Sequence, residues 1–459
     1  MLLPSFLSVE EWLSFSALLR RSSSLQALQF FFDFDDEAEE LEQMNEDPYG
    51  GDADVGFEST RGDTSAAQAR QGKDIQGIYW DRMQFTREEY RESRLRHYRN
   101  YVNLNEPHEE LEKECLEVAK GGKFYEFQQN TRAVKPTVVH FQLRNLVWAT
   151  SKHDVYFMHI SSIQHWSPLK RVVTEVLNAA RPILPESEAQ RRTSNWQYMG
   201  RQVQISTMCV KNNLLVAGGF QGEMVCKFLD RPGVSHCSTI TYDANAITNA
   251  VEIYEDISGA TRLMTSNNDA VVRVFDIERF EVQQKLNFPW PVNHTSVSPD
   301  NRFVVVVGDS VEGYVMESHS GKTFATLRGH LDFSFASAWH PDGYVFATGN
   351  QDTSCRLWDV RNLSSSFAVL KGHIGAIRSL RFTSDGRFLA MAEPADFVHI
   401  LDVYQDYRRC QEIDIFGEIA GISFSPDTEA LFIGVADRTY GSLLEYNRCH
   451  ANTYHDMLS

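Results

Sequence analysis

A unit that recurs about every 42 residues restricts the fold of this chain more than any other feature. Met264-Thr-Ser-Asn-Asn-Asp-Ala-Val-Val-Arg-Val-Phe-Asp276 closes one copy, Phe346-Ala-Thr-Gly-Asn-Gln-Asp-Thr-Ser-Cys-Arg-Leu-Trp-Asp359 another, and Leu401-Asp402 a third. The closing aspartates lie 83 and 43 residues apart, and the wider interval holds two units, with a turn at Ser298-Pro299-Asp300. Each unit reads as a strand, a turn of Pro, Asp and Gly, an apolar strand, a polar hairpin with Asp, and a closing apolar strand. Such spacing belongs to the blades of a β-propeller, not to a helical solenoid. The expected fold is therefore all-β, with seven blades opening near residues 137, 203, 245, 292, 330, 373 and 418. Phe124–Gln129, just ahead of the first blade, is expected to complete the last one, because main-chain pairing there removes an open sheet edge. A long insertion over residues 163–200, carrying Arg171, Arg181, Arg191 and Arg192, is expected between the first two blades.

The chain has 459 residues, more than such a ring needs, and most of the surplus is N-terminal. Residues 33–63 hold thirteen acids and one base, Arg61, a net −12 of the whole chain's −18. Self-repulsion and few apolar residues predict disorder there, so residues 1–73 are expected to form an acidic, mostly disordered extension. Residues 74–122 read as a helical segment. Thr86-Arg-Glu-Glu89 spells a capping box, and the helix it opens is expected to run to about Tyr101. Arg87, Arg91, Arg94, Arg96 and Arg99 are expected on its solvated face, with its tyrosines packed on a neighbour. A second helix is expected after Pro107, with Leu111, Cys115 and Val118 as its apolar residues and a stop at Gly121-Gly122. The propeller then spans 123–448 and a tail spans 449–459.

Composition narrows the function classes. A body this acidic will not hold nucleic acid by bulk electrostatics, since phosphate binding needs basic clusters. No segment is long and apolar enough to span a membrane, and no secretory pattern opens the chain. Seven scattered cysteines without a C-x-x-C pair argue against a zinc site and a disulfide framework. The expected setting is the cytoplasm and nucleus, with no metal and no cofactor.

The Gly329-His330 opening and Trp358-Asp359 close make residues 329–359 resemble a WD repeat. Over residues 74–448 the chain resembles a plant and fungal WD-repeat, transducin-like family of unassigned biochemical activity. The phrases that carry the resemblance are Asp74-Ile-Gln-Gly-Ile78, the run from Phe141 to Asp154, Gly218-Gly-Phe-Gln-Gly222, the run from His330 to Asp342, and Ala392-Glu-Pro-Ala-Asp-Phe-Val-His399. The resemblance implies a blade network in which Asp352 accepts from His330, His330 meets Thr348, and Thr348 accepts from the Trp358 indole. The stretch from Phe346 to Arg361 also resembles the Trp-Asp-x-Arg box by which some WD-repeat proteins dock to the adaptor of cullin ubiquitin ligases. That likeness implies a docking role for Asp359 and Arg361.

Catalytic motifs do not hold. Ser320-Gly-Lys-Thr323 lacks the glycine five residues before Gly321 that a phosphate loop needs; Met316 stands there. No G-x-G-x-x-G, G-x-S-x-G or H-E-x-x-H occurs. His294 reads as an isolated hydrogen-bond partner. The expected function is a non-catalytic protein-interaction scaffold with protein partners; the alternative is a substrate receptor that binds the cullin ligase adaptor.

Overall fold

The computed structural model describes residues 62–104, 109–183 and 202–450. The acidic segment up to Arg61, Arg191 and Arg192, and the tail from residue 451 lie outside them. Five blades are separate four-stranded antiparallel sheets, with first strands at Val147–Ser151, Ile205–Lys211, Thr248–Glu255, Val292–Val297 and Ser334–Trp339. Blades six and seven share one sheet through a single long strand, Arg409–Phe424. Its first half pairs with Ala395–Asp402 as the outer strand of blade six, and its second half pairs with Ala430–Ala436 as the inner strand of blade seven. At the join Gly417 takes φ 112°, and a Cβ there would lie 2.9 Å from Val435 Cγ1, so glycine is required twice over. The ring closes where Tyr125–Thr131 pairs with Ser442–Arg448 as the fourth strand of blade seven.

Blades pack face to face, so a middle strand is covered on both sides. The second strands accordingly lack polar alternation: every residue of Phe303–Gly308 and Phe388–Ala392 is buried. The turns carry the polar residues. In His340-Pro-Asp-Gly343, Asp342 accepts from the amides of Tyr344 (2.8 Å) and Val345 (3.3 Å), and Gly343 supplies φ 75°. In this up-and-down order, turns between second and third strands and links between blades lie on one face, here the upper. The turns within the first and last strand pairs lie on the lower face.

Four expectations need correction. Ser162–Ser167 and Val172–Asn178 are the last two strands of blade one, so the insertion begins only after them. Residues 62–73 already belong to the ordered unit: Thr64–Ser65 pairs with Asn130 and Gln129 on the rim of blade seven, and a short helix, Ala66–Arg70, follows. The second helix ends at Glu114, because the Leu116 amide then donates to Val369 O and Ala119–Lys120 pairs in parallel with Arg409 and Cys410. Free sheet edges outcompete continued helix at this point. The capping-box helix spans Arg87–His97, with both reciprocal bonds of the box formed, but Arg87, Arg91 and Arg94 form a docking face, while Arg96 and Arg99 are exposed as expected.

Candidate functional site

The helix Arg87–His97 lies on the upper face over blades six and seven, and three arginines one turn apart point into it. Arg91 donates to Asp396 Oδ2 (2.7 Å), Asp414 Oδ1 (2.6 Å) and Ile415 O (2.6 Å). Its guanidinium sits over the rings of Phe416 (4.1 Å) and Phe397 (4.7 Å). Arg94 grips Asp396 with both Nε (2.6 Å) and Nη2 (3.0 Å), and Arg87 reaches Asp414 (2.9 Å). Asp396 is fully buried and stands at φ 71°, a left-handed conformation that aspartate tolerates better than most residues. A buried carboxylate is costly unless it is paired, and here two forks pair it.

The chain then crosses towards the ring axis. Asn100 and Gln351 exchange side-chain to main-chain and side-chain bonds (2.7 and 2.9 Å), Gln351 Nε2 donates to Tyr101 O (2.7 Å), and Asn103 binds both oxygens of Asp332 (2.9 Å each). Tyr101 packs edge-on against Phe141 from the link into blade one. Residues 74–104 thus form a strap over blades seven, six and five, and the chain returns along the rim through Cys115 and Ala119–Lys120 to blade seven.

Blade five holds His330, Thr348, Asp352 and Trp358 in one run of hydrogen bonds. Trp358 Nε1 donates to Thr348 Oγ1 (2.9 Å), which lies 2.8 Å from His330 Nε2, while His330 Nδ1 lies 3.0 Å from Asp352 Oδ2. Trp can only donate and the carboxylate only accept, so the run has one polarity, with the His330 proton on Nδ1. Asp352 also accepts from the amides of Leu331 and Ser354. Burial works against its charge, yet the His330 and Ser354 contacts hold its carboxyl below the usual range. Trp358 is completely buried.

Blade six uses a different set, which the sequence reading missed. Glu393 is fully buried and accepts from the amides of Ile374 (2.8 Å) and Gly375 (2.6 Å) and from His399 Nε2 (2.7 Å). Burial opposes the charge on His399, but hydrogen bonds to Cys410 and Glu393 raise its pKa to about 10. Ala392-Glu-Pro-Ala-Asp was the available signal: its two acids are Glu393 and Asp396.

Among the described residues, no strap crosses the lower face. Tyr344, Phe367 and Tyr404 are half or more exposed there. Arg361 grips Asp359 with Nε (2.9 Å) and Nη2 (2.6 Å) and lies 4.7 Å from the Tyr344 ring centroid; Arg387 lies over Phe388 and Tyr404. Near the axis, His294 bonds Ser337 (3.0 Å), and burial, with Arg381 nearby, lowers its pKa to about 3. Glu252 accepts from the Val297 amide, and burial raises its pKa to about 7. Ser320-Gly-Lys-Thr323 is the turn into the fourth strand of blade four.

A ring of four-stranded blades carrying the His330–Trp358 network defines a WD-repeat β-propeller. The model of the WD domain, G-beta repeat matches residues 321–359 and 364–393, which hold blade five with the last strand of blade four and the first two strands of blade six. An uncharacterized protein of Schizosaccharomyces pombe is 29% identical over 197 residues, 40% of this chain and 56% of that one. Pre-mRNA-processing factor 19 homolog 2 of Arabidopsis thaliana is 24% identical over 231 residues, 49% of this chain and 42% of that one. The chain thus spans about half the length of these relatives. A chain in the crystal structure of a mitotic checkpoint complex superposes with a TM-score of 0.55 at 13% identity, over 69% of this chain and 93% of that one, which is a likeness of fold.

Proposed function

We propose that this WD-repeat propeller is a non-catalytic scaffold that holds protein partners on its lower face and rim. The observation that carries this reading is the unequal use of the two faces. The upper face of blades five to seven is occupied by the chain's own strap, while the lower face of blades five and six presents Tyr344, Phe367 and Tyr404 beside Arg361 and Arg387. Exposed Tyr and Arg are the residue types that dominate binding energy at protein interfaces. The titratable groups near the axis suit structure better than catalysis. His294 is held neutral and bonded, a poor base, and Glu252 is committed to a main-chain amide. The proposed setting is the nucleus and cytoplasm, which fits a relative named for pre-mRNA processing. Tyr404→Ala with Arg387→Ala should remove stoichiometric partners recovered with the full chain while the melting midpoint stays unchanged; retention of every partner would refute the assignment of the face.

One observation favours a second reading, a substrate receptor on a cullin ligase adaptor. Arg361 is exposed, and its fork is already fixed by Asp359 and the Tyr344 ring. A pre-ordered guanidinium loses less freedom on docking, and truncating such an anchor commonly costs about 2 kcal/mol or more. Arg361→Ala should then abolish adaptor co-purification and Arg361→Lys should restore little of it. Full retention of the adaptor by Arg361→Ala, or no adaptor with the unaltered chain, would end this reading.

A further inference from the structure

Under the helix Arg87–His97 the ring contributes acceptors and the strap contributes the cations. Among the described residues, every ion pair that Asp396 and Asp414 make is with an arginine of the strap. From the ring itself Asp396 receives the Gly417 amide (3.2 Å), and Arg144 is paired instead with Glu418 (2.8 Å). Beside the carboxylates, Phe416 and Phe397 flank the Arg91 guanidinium at 4.1 and 4.7 Å, and Ile415 O accepts from it (2.6 Å). Such a set fits a planar, permanently charged fork and suits the round ammonium of lysine poorly. Asp396 also holds φ 71°, and backbone strain of this kind collects at ligand clamps. The strap's own hold is chiefly polar. Arg91 is the one buried residue of its helix, and Tyr90 against Phe416 (5.2 Å) is the helix's main ring contact with the propeller. A segment that buries so little apolar surface opens locally at small cost.

We infer that the upper face of blades six and seven is an arginine-reading site, closed by the strap and open to a partner protein whose helical segment carries two arginines one turn apart. The strap is the template for that partner: its Arg91 enters the aromatic slot, and its Arg94 grips Asp396 with two nitrogens. The partner's segment takes the place of the helix rather than lying above it. Because the strap is tethered to the ring, it competes at high effective concentration and keeps weak arginine-bearing segments out. This site goes beyond the lower-face reading and stands without it.

The probe is a fluorescent synthetic peptide of residues 84–100, titrated by anisotropy into the full chain. Arg91→Ala with Arg94→Ala frees the acceptors, so this chain should bind the peptide about tenfold or more tighter than the unaltered chain does. Arg96→Ala, at an exposed position on the same helix, should bind it no better than the unaltered chain. A peptide carrying Arg91→Lys and Arg94→Lys should bind the loosened chain about tenfold more weakly, since it keeps the charge but not the fork. Equal binding by loosened and unaltered chains, or equal binding of the two peptides, would overturn the inference. If the double variant does not fold, hydrogen exchange on the unaltered chain decides: excess arginine peptide should speed exchange within residues 87–97, and the lysine peptide should not. Exchange that responds to neither peptide, or equally to both, would overturn it.

Discussion

Replacing Arg91 with alanine should loosen the strap without unfolding the ring. The side chain loses charged hydrogen bonds to Asp396, Asp414 and Ile415 O, and its place over two rings. Neither acid is orphaned, because Arg94 still holds Asp396 and Arg87 still holds Asp414. The cost therefore falls below the ~3–5 kcal/mol of breaking an isolated buried pair, at about 2–4 kcal/mol. Since the strap covers the blades rather than forming them, this loss should appear as local opening. Hydrogen exchange followed by mass spectrometry should show amides of residues 87–104 exchanging roughly 30- to 1000-fold faster, with blade amides little changed. Arg96→Ala, at an exposed position on the same helix, should change exchange hardly at all. Equal effects of the two substitutions, or unchanged protection in Arg91→Ala, would refute the reading of this helix as an arginine-docked strap.

Trp358→Ala should destabilise the protein by about 3–5 kcal/mol in denaturant titrations, and Trp358→Phe, which chiefly removes the bond to Thr348, by about 1–2 kcal/mol; similar costs would mean that the indole packs loosely. Arg361→Ala should leave the denaturant midpoint unchanged, since its bond to Asp359 is exposed. His399 has a folded-state pKa raised from 6.5 to about 10, so its contribution is fully present below pH 6.5 and is lost as pH rises through about 10. Urea midpoints measured across that window should fall with pH, and His399→Gln should flatten the fall; an unchanged slope would remove His399 as the cause.

The repeat was legible because blade five spends its polar residues at the places a blade calls for: Asp342 in a turn, Asp352 in a hairpin, Asp359 at a strand end. The first blade was harder. Val172–Asn178 lies at the rim with several exposed residues, so its sequence does not alternate as a half-buried strand would, and it read as insertion. The strap was misread for a different reason. Arginines on a helix normally face water, and only the distant Asp396 and Asp414, more than three hundred residues on, make that face the buried one. Blade six likewise replaced the familiar His and Asp with His399 and Glu393, a pairing that only the fold brings together.

The central claim is that the propeller works by holding proteins on its lower face, and the most direct measurement is cross-linking mass spectrometry on the full chain isolated with its partners from cells. The expected result is a small, stoichiometric set of proteins cross-linked beside Tyr344, Arg361, Phe367, Arg387 and Tyr404, lost on Tyr404→Ala with Arg387→Ala at an unchanged melting midpoint. Partners mapped to the upper face above the strap, or a purified protein that turns over a defined substrate and loses that activity on an axial substitution such as His294→Ala, would contradict it.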